Sequence, residues 1–150
     1  MKLSVEGLQL IKQQEGFRSR TYLDVAGFPT IGYGHRLIHP GSFPDGINEA
    51  QAAEILASDV RDAEQAVGHL VMAPLTQGQF DALVDFCFNL GSGRLASSTL
   101  LKLLNAGRYA DAAEQLLRWD QAGGQESSGL KARREAELAL WNSAVQSAAA

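Results

Sequence analysis

The sequence predicts an α+β fold in which a small β-hairpin lobe is joined by a long helix to a larger helical lobe. Residues 4–15 carry apolar side chains at helical spacing, at Val5, Leu8 and Ile11. Residues 16–47 change to a strand-like pattern around a turn, and residues 68–150 return to helical patterning. With 150 residues and 45% hydrophobic content, the chain is long enough for one ordinary core, so we expect a single domain.

The first helix carries an acidic residue where a structural helix would place an apolar one. Ser4 is a suitable N-cap, and Glu6 lies in the first turn, where the helix dipole favours negative charge. Glu15 continues the apolar stripe four residues after Ile11, and Gly16 is suited to end the helix. An unpaired carboxylate on an apolar face costs free energy, so Glu15 is a candidate functional residue.

A β-hairpin is predicted to follow this helix. Residues 18–23 favour a strand, VAGF supplies a turn with Gly27 at a position suited to positive φ, and residues 29–33 favour the returning strand. Asp24 lies at the turn and Thr30 on the second arm. Taken singly, an acid at a helix end, an Asp before a turn and a Thr in a strand are ordinary. Together they form the carboxylate pair required for glycoside hydrolysis, in which one acid protonates the leaving oxygen and the other activates water or attacks the sugar.

A family resemblance rests on these residues. The spacing of Glu15, Asp24 and Thr30, followed by TIGYGH, resembles the phage-type lysozymes, the endolysin muramidases of glycoside hydrolase family 24. The likeness continues through TQGQFDALVDFCFNLGSG, STLLKLLNAG and GLKARREAELALW, and therefore covers nearly the whole chain. It implies a lysozyme-like fold and cleavage of the β-1,4 bond between N-acetylmuramic acid and N-acetylglucosamine in peptidoglycan. It also implies that Glu15 is the general acid, Asp24 the second carboxylate and Thr30 a partner that holds the nucleophilic water.

The position of Thr30 also predicts the stereochemistry. An inverting glycosidase leaves about 6.5–9.5 Å between its carboxyl groups for a water, whereas a retaining one places them roughly 5 Å apart. A hydroxyl across the hairpin from Asp24 suits the orientation of a water, so we expect inversion, with Asp24 as general base. Further candidates for supporting the site or binding substrate are His35, Tyr33, Phe88, Thr99 and Arg134.

The remaining segments predict the helical lobe. Residues 39–46 are dense in Gly and Pro and predict a loop. Asn48 with Gln51, and Thr76 with Gln79, are capping signatures for helices that end near Gly68 and at Gly91. Ser98 or Thr99 is expected to cap a helix through Asn105, Tyr109–Trp119 predicts another, and residues 120–129 predict a flexible polar loop. The inward positions of these helices are predicted at Ala53, Leu56, Val60, Ala63 and Val67, and at Ala112, Ala113, Leu116 and Leu117.

The last helix has an arginine on its predicted buried stripe. The stripe is formed by Leu130, Leu138, Trp141 and Val145, and Arg134 falls on it. A buried arginine requires a carboxylate partner. One interpretation is an ion pair with Glu6 or Glu64 that locks the lobes together, and the other is that Arg134 or Lys131 reaches Glu15.

Composition excludes several classes of protein. A net charge of −4 and a pI near 5.3 argue against a nucleic-acid partner. There is no nucleotide-binding glycine motif and no Cys/His set with metal spacing, so no cofactor or metal is expected. The single cysteine, Cys87, lies in an apolar run and is expected in the core. No apolar stretch is long enough for a membrane anchor and the amino terminus has no hydrophobic signal-peptide region, so we expect the protein to stay in the host cytoplasm until it is released to the wall. We also expect a monomer.

Two alternative functions remain open at this point. A non-hydrolytic peptidoglycan-binding module of the same fold is disfavoured because Glu15, Asp24 and Thr30 are all present. A lytic transglycosylase, which cleaves the same bond without water, is disfavoured by Asp24, because such enzymes usually rely on one catalytic acid.

Overall fold

The computed structural model describes residues 1–143, which form helices, a three-stranded antiparallel sheet and a short two-stranded hairpin. Helix α1 (Val5–Glu15) leads into strands β1 (Arg18–Leu23), β2 (Pro29–Gly32) and β3 (His35–Arg36), arranged in that order. The remaining elements are α2 (Glu49–Leu70), α3 (Gln77–Leu90), α4 (Ser92–Ser97), α5 (Thr99–Asn105), α6 (Tyr109–Leu116), β4 (Gln121–Ala122), β5 (Gln125–Glu126) and α7 (Ser128–Trp141). This architecture confirms the predicted α+β class.

The chain divides into two compact units. The sheet unit, Ile11–Asp62, contains the end of α1, the three-stranded sheet and most of α2. The helical unit combines Met1–Leu10 with the described residues from Ala63 onward. Both boundaries fall within helices, after Leu10 in α1 and after Asp62 in α2. None of the helices in residues 1–143 is both long and apolar enough to cross a membrane.

The start of α1 is fixed by polar contacts, and this explains one wrong prediction. The Ser4 hydroxyl accepts the Gly7 amide at 3.1 Å, as expected of an N-cap, and Asp81 accepts both the amide and the hydroxyl of Ser4. A Cβ on Gly7 would lie 2.8 Å from Cγ of Asp81, so only glycine fits there. The buried face therefore begins with Ser4 and Gly7. Val5, which was expected on that face, is 72% exposed. The prediction was wrong because it relied on hydrophobicity alone, which does not identify a glycine as a contact position.

The sheet contains a strand and an irregularity that the sequence did not predict. Strand β1 pairs with β2 as predicted, with a register shift between Arg18 and Tyr22. The carbonyl of Ser19, within that irregular stretch, accepts the Ile47 amide at 2.8 Å, so the loop after the sheet returns to β1. Two further residues, His35 and Arg36, pair with β2 as the short third strand.

The two predicted capping signatures are both confirmed. At α2, the Asn48 side chain accepts the Gln51 amide at 2.8 Å and the Gln51 side chain accepts the Asn48 amide at 2.9 Å. Thr76 and Gln79 form the same reciprocal pair at α3. The buried face of α2 contains Leu56, Val60, Ala63 and Val67 as expected, but begins at Ala52 rather than Ala53.

The core of the helical unit centres on α3, which packs against α7, while α5 packs against α6. Cys87 is buried in this core, as predicted, and burial raises the pKa of its thiol. Trp141 is buried here as well, and Trp119 is half-buried with its ring edge-on to Phe86. Both tryptophans therefore serve packing. Val145, the last member of the predicted stripe, lies outside the described residues.

Three local predictions in this unit were wrong. Helix α4 (Ser92–Ser97) was missed, because no helix was predicted between the end of α3 at Gly91 and the cap at Ser98 or Thr99. Helix α6 ends at Leu116, before the predicted Trp119, because the amides of Arg118 and Trp119 bond to carbonyls three residues back rather than four. Leu117, which was predicted to face inward, is 39% exposed. The stretch predicted as a flexible loop, residues 120–129, instead contains the β4–β5 hairpin and the first two residues of α7. Gly123 and Gly124 both have positive φ, 60° and 80°, which is the conformation of a two-residue hairpin turn.

Candidate functional site

Glu15 occupies the end of α1, where its carboxylate contacts the turn after β2. Gly16 ends the helix with φ 69°, and its amide donates to the Lys12 carbonyl at 2.9 Å. The Glu15 side chain is half-buried. A Cβ built on Gly34 would lie 2.6 Å from Glu15 Oε2, so the carboxylate rests against the Gly34 main chain. The helix end and the β2–β3 turn therefore meet at this acid.

Asp24 and Thr30 are held by the same residue, Phe28. The Phe28 amide donates to Asp24 Oδ1 at 2.8 Å. The Phe28 carbonyl accepts the Asp24 amide at 2.9 Å and the Thr30 hydroxyl at 2.8 Å. Pro29 follows and restricts the backbone of Phe28 to extended conformations. The main chain of one constrained residue therefore fixes the relative positions of the second carboxylate and the hydroxyl.

Tyr22 extends this group across the sheet, although the sequence analysis did not select it. Tyr22 is the cross-strand partner of Thr30, and Thr30 is the partner of Arg36, so the three side chains share one face of the sheet. Partial burial raises the pKa of the Tyr22 phenol. Arg18 lowers it, and the negative charges of Glu15 and Asp24 raise it. Both carboxylates are therefore within electrostatic range of one hydroxyl. The alternation of a strand, with Tyr22 two residues before Asp24, was the signal that could have identified it.

Two arginines on the sheet were also missed. The Arg36 guanidinium carbon lies 4.2 Å from the centre of the Phe28 ring, and its Nε lies 3.5 Å from Asp24 Oδ2. Arg18 lies 4.6 Å from the centre of the Tyr22 ring. Stacking on an aromatic face limits the motion of a guanidinium group. The face that carries Asp24 is therefore flanked by two positioned cations.

His35 and Tyr33 lie next to this face, where His35 contacts Asp59 of α2 and Tyr33 contacts Lys12 of α1 and Phe17. His35 Nδ1 is 2.8 Å from Asp59 Oδ2, and because a carboxylate only accepts, the nitrogen is the donor. This bond connects β3 to α2. Tyr33 is 9% exposed, with its ring 5.7 Å from that of Phe17 and 5.8 Å from the Lys12 ammonium. Through these contacts, both residues connect the sheet to the helices that pack on it.

The other three candidates belong to the helical unit. Phe88 is half-buried against the core, and Thr99 is exposed at the start of α5. Arg134 is fully buried, as predicted, and donates to Glu137 Oε1 at 2.6 Å and to Asn89 Oδ1 at 2.8 Å. Its carboxylate partner lies one turn along the same helix, so the predicted partners, Glu6 or Glu64 and Glu15, were wrong for Arg134. The Glu64 carboxylate instead accepts the Leu3 amide at 2.7 Å, and Lys131 lies 3.5 Å from Glu126.

Arg134 is part of a larger buried ionic cluster that the sequence did not predict. Arg133 binds Asp85 through two hydrogen bonds, Nε to Oδ2 at 3.0 Å and Nη2 to Oδ1 at 2.7 Å. Asp85 and Glu137 are both 0% exposed. Burial raises the pKa of Glu137 well above its usual value and nearby Asp85 raises it further, with partial compensation from Arg134 and Arg133.

Within residues 1–143, no group of three potential metal-binding side chains is present.

Comparison with known proteins identifies the class to which this fold and site belong. The family model described as phage lysozyme matches residues 12–137, so the chain belongs to the phage lysozyme family. Proteins of this family are muramidases, glycoside hydrolases that act on peptidoglycan.

Individual relatives agree with this assignment. The chain is 43% identical over 145 residues to an endolysin of Bacillus phage B103, a match that covers 94% of this chain and 54% of that protein. It therefore spans about half the length of that relative. An endolysin of Salmonella phage P22 is 38% identical over 144 residues, covering 94% of this chain and 98% of the relative. The solved structure of an endolysin from Escherichia coli O157:H7 phage FAHEc1 matches with a TM-score of 0.87 at 38% identity, covering 97% of this chain and 96% of that one.

Proposed function

We propose that this protein is an endolysin that hydrolyses the β-1,4 bond between N-acetylmuramic acid and N-acetylglucosamine in bacterial peptidoglycan, with inversion of configuration. The observation that carries the proposal is the arrangement around Phe28, where one main chain holds a carboxylate and a hydroxyl beside the face approached by Glu15. Family membership supports peptidoglycan as the substrate. The contacts described above support the roles that are proposed below for individual residues.

Glu15 is the general acid in this mechanism. Its proton passes to the glycosidic oxygen as the bond from that oxygen to the anomeric carbon breaks. Packing against Gly34 limits the positions that the carboxyl group can take. A group held near the leaving oxygen transfers its proton more effectively than one that moves freely.

Asp24 and Thr30 together orient the attacking water. The Phe28 amide occupies Oδ1 of Asp24, so the oxygen that takes a proton from the water is Oδ2, which lies 3.5 Å from Arg36 Nε. The Thr30 hydroxyl donates its hydrogen to the Phe28 carbonyl, so its oxygen acts toward the water as an acceptor. A water that donates one hydrogen to Asp24 and the other to Thr30 directs a lone pair at the anomeric carbon. Water oxygen bonds to that carbon, and Asp24 takes the proton.

Product analysis tests this proposal. Purified peptidoglycan is digested, and the anomeric configuration of the new reducing ends is followed by proton NMR before mutarotation. Inversion of a β bond gives the α anomer first. The β anomer first would show that Asp24 bonds the sugar directly. Mass spectrometry of the same digest separates the alternatives: anhydro sugars would show a lytic transglycosylase, and an absence of new ends would show a binding module.

The state and location of the protein are part of the same proposal. We infer a monomer that binds glycan strands without nucleic acid and is made in the host cytoplasm before it reaches the wall. Light scattering coupled to size-exclusion chromatography tests the first point. Fractionation of infected cells before and after lysis tests the last.

A further inference from the structure

Gly34 contacts the proposed acid more closely than any side chain would permit. It lies in the turn between β2 and β3 with φ 74°, a conformation that L side chains rarely adopt. The three heavy atoms nearest to a Cβ built there all belong to Glu15: Oε2 at 2.6 Å, Cδ at 3.3 Å and Cγ at 3.7 Å. The position therefore excludes a side chain for two separate reasons, the backbone conformation and the carboxylate.

Other glycines with positive φ separate these two reasons. Gly107 has φ 79°, and a Cβ there would meet nothing within 4 Å. Gly32 has φ 66°, and a Cβ there would lie 3.2 Å from Ile47 and 3.3 Å from Ala52, which are apolar side chains. At Gly107 glycine is needed only for the backbone conformation, and at Gly32 it also leaves room for apolar side chains. At Gly34 it also leaves space for an acidic group.

We propose that Gly34 is a positioning residue that sets the location of the Glu15 carboxylate for proton transfer. The inference rests on the proposed role of Glu15 as the acid. A glutamate side chain has three rotatable bonds, so a half-buried one keeps a fixed position only where neighbouring atoms stop its rotation. The flat surface of the Gly34 main chain provides such a stop. A Cβ there would lie 2.6 Å from Oε2, so the carboxylate would have to leave its present position.

The expected effect is on the chemical step rather than on substrate binding. Displacing a reacting group by about 1 Å can cost roughly a hundredfold in rate. We therefore expect Gly34→Ala to lower kcat by about 10- to 100-fold with little change in KM. Two other effects have to be separated from this one: loss of stability from positive φ, and obstruction of the sugar by the new methyl group.

Five variants make the test. Gly34→Ala is compared with Gly107→Ala, which carries a similar backbone strain without a nearby carboxylate. Gly34→Asn is made as well, because asparagine tolerates positive φ better than alanine while still adding a Cβ. Glu15→Gln is made alone and combined with Gly34→Ala. Thermal unfolding, kcat and KM on soluble peptidoglycan fragments, and binding to insoluble peptidoglycan are measured for each.

The inference predicts a distinct pattern. Gly34→Ala and Gly34→Asn lower kcat, and Gly107→Ala leaves it unchanged. In the Glu15→Gln background, adding Gly34→Ala changes the residual kcat by no more than roughly twofold, which is the usual error in adding the effects of independent mutations. Binding of the double variant matches that of Glu15→Gln. An unchanged kcat in Gly34→Asn, an equal loss of kcat in both backgrounds, or an effect confined to KM or binding would overturn it. Full activity of Glu15→Gln would instead refute the proposed acid, and the two failures are therefore distinguishable.

Discussion

The two units of this protein hold their charged groups in opposite ways. In the sheet unit, Asp24 is fixed mainly by the main chain of Phe28, four residues away, and its side chain remains 25% exposed. In the helical unit, Asp85 is 0% exposed and is bound by the side chain of Arg133, 48 residues away. Main-chain contacts leave Asp24 partly exposed, with the exposed Arg36 3.5 Å from its second oxygen, whereas the guanidinium fork of Arg133 binds both oxygens of Asp85 in the interior. The first arrangement suits chemistry on a ligand, and the second suits internal structure.

The largest expected effect concerns the acid of the sheet unit. Glu15→Gln keeps the shape of the side chain but removes the transferable proton, so we expect a loss of at least about 100-fold in kcat with folding retained. Glu6→Gln, on the exposed first turn of the same helix, is the matched control. Hydrolysis rates on purified peptidoglycan and circular dichroism decide the matter. Lysis at the normal rate by a folded Glu15→Gln protein would remove Glu15 from the mechanism.

The next effect concerns stability in the helical unit. Asp85→Ala leaves Arg133 with a buried charge that has lost two hydrogen bonds, and we expect a loss of about 3–5 kcal/mol in the free energy of unfolding. Asp111→Ala breaks the exposed pair with Arg108 and should cost less than about 1 kcal/mol. Urea denaturation of both variants gives the comparison. Similar losses in the two would show that burial does not distinguish these ion pairs.

A smaller effect is expected at the hydroxyl beside the proposed water. Thr30→Val preserves the shape of the side chain and removes the acceptor, so we expect kcat to fall by about 10- to 100-fold, corresponding to the loss of one well-placed hydrogen bond in the transition state. Thr30→Ser restores the hydroxyl and should recover most of the activity. Steady-state kinetics on soluble fragments distinguishes the two. Equal activity in the valine and serine variants would show that the hydroxyl does not orient the water.

The smallest effect is a change in the pH dependence of stability. The pKa of Glu137 is higher in the folded protein than in the unfolded chain. The protonated side chain therefore stabilises the fold fully at pH values below its pKa in the unfolded chain, and this contribution is lost as the pH rises through its pKa in the folded protein. Glu137→Gln remains neutral and can still accept from Arg134. Its stability should therefore fall less with rising pH than that of the wild type. Denaturation at several pH values, with exposed Glu135→Gln as control, measures this, and parallel curves would contradict the raised pKa.

The contrast between contacts close in sequence and contacts far apart in sequence also explains which features the sequence could predict. The end of α1, the strands on either side of Asp24 and the capping boxes depend on residues within a few positions of one another, and these predictions were confirmed. The roles of Glu15, Asp24 and Thr30 came from family resemblance and remain proposals. The partner of Arg133 lies 48 residues away, and no local pattern contains that pairing.

Errors of detail had two local causes. One was glycine, which carries no hydrophobic signal. Gly7 determined the buried face of α1 and displaced Val5 from it, and the pair Gly123 and Gly124 formed a hairpin turn where a flexible loop was expected. The other was cross-strand register. The position of Arg18 opposite Gly32 depends on an irregularity in β1 that the sequence does not reveal.

The contacts around Phe28 also bear on how the site tolerates sequence change. Asp24 and Thr30 bind main-chain atoms of this residue, which is 48% exposed and whose ring stacks on Arg36. The identity of the side chain is thus separate from the hydrogen bonds that arrange the two groups. Position 28 is a favourable one for library design, because its side chain can be diversified beside the site while Pro29 preserves the backbone. Position 34, by contrast, is expected to accept only glycine in any active library member.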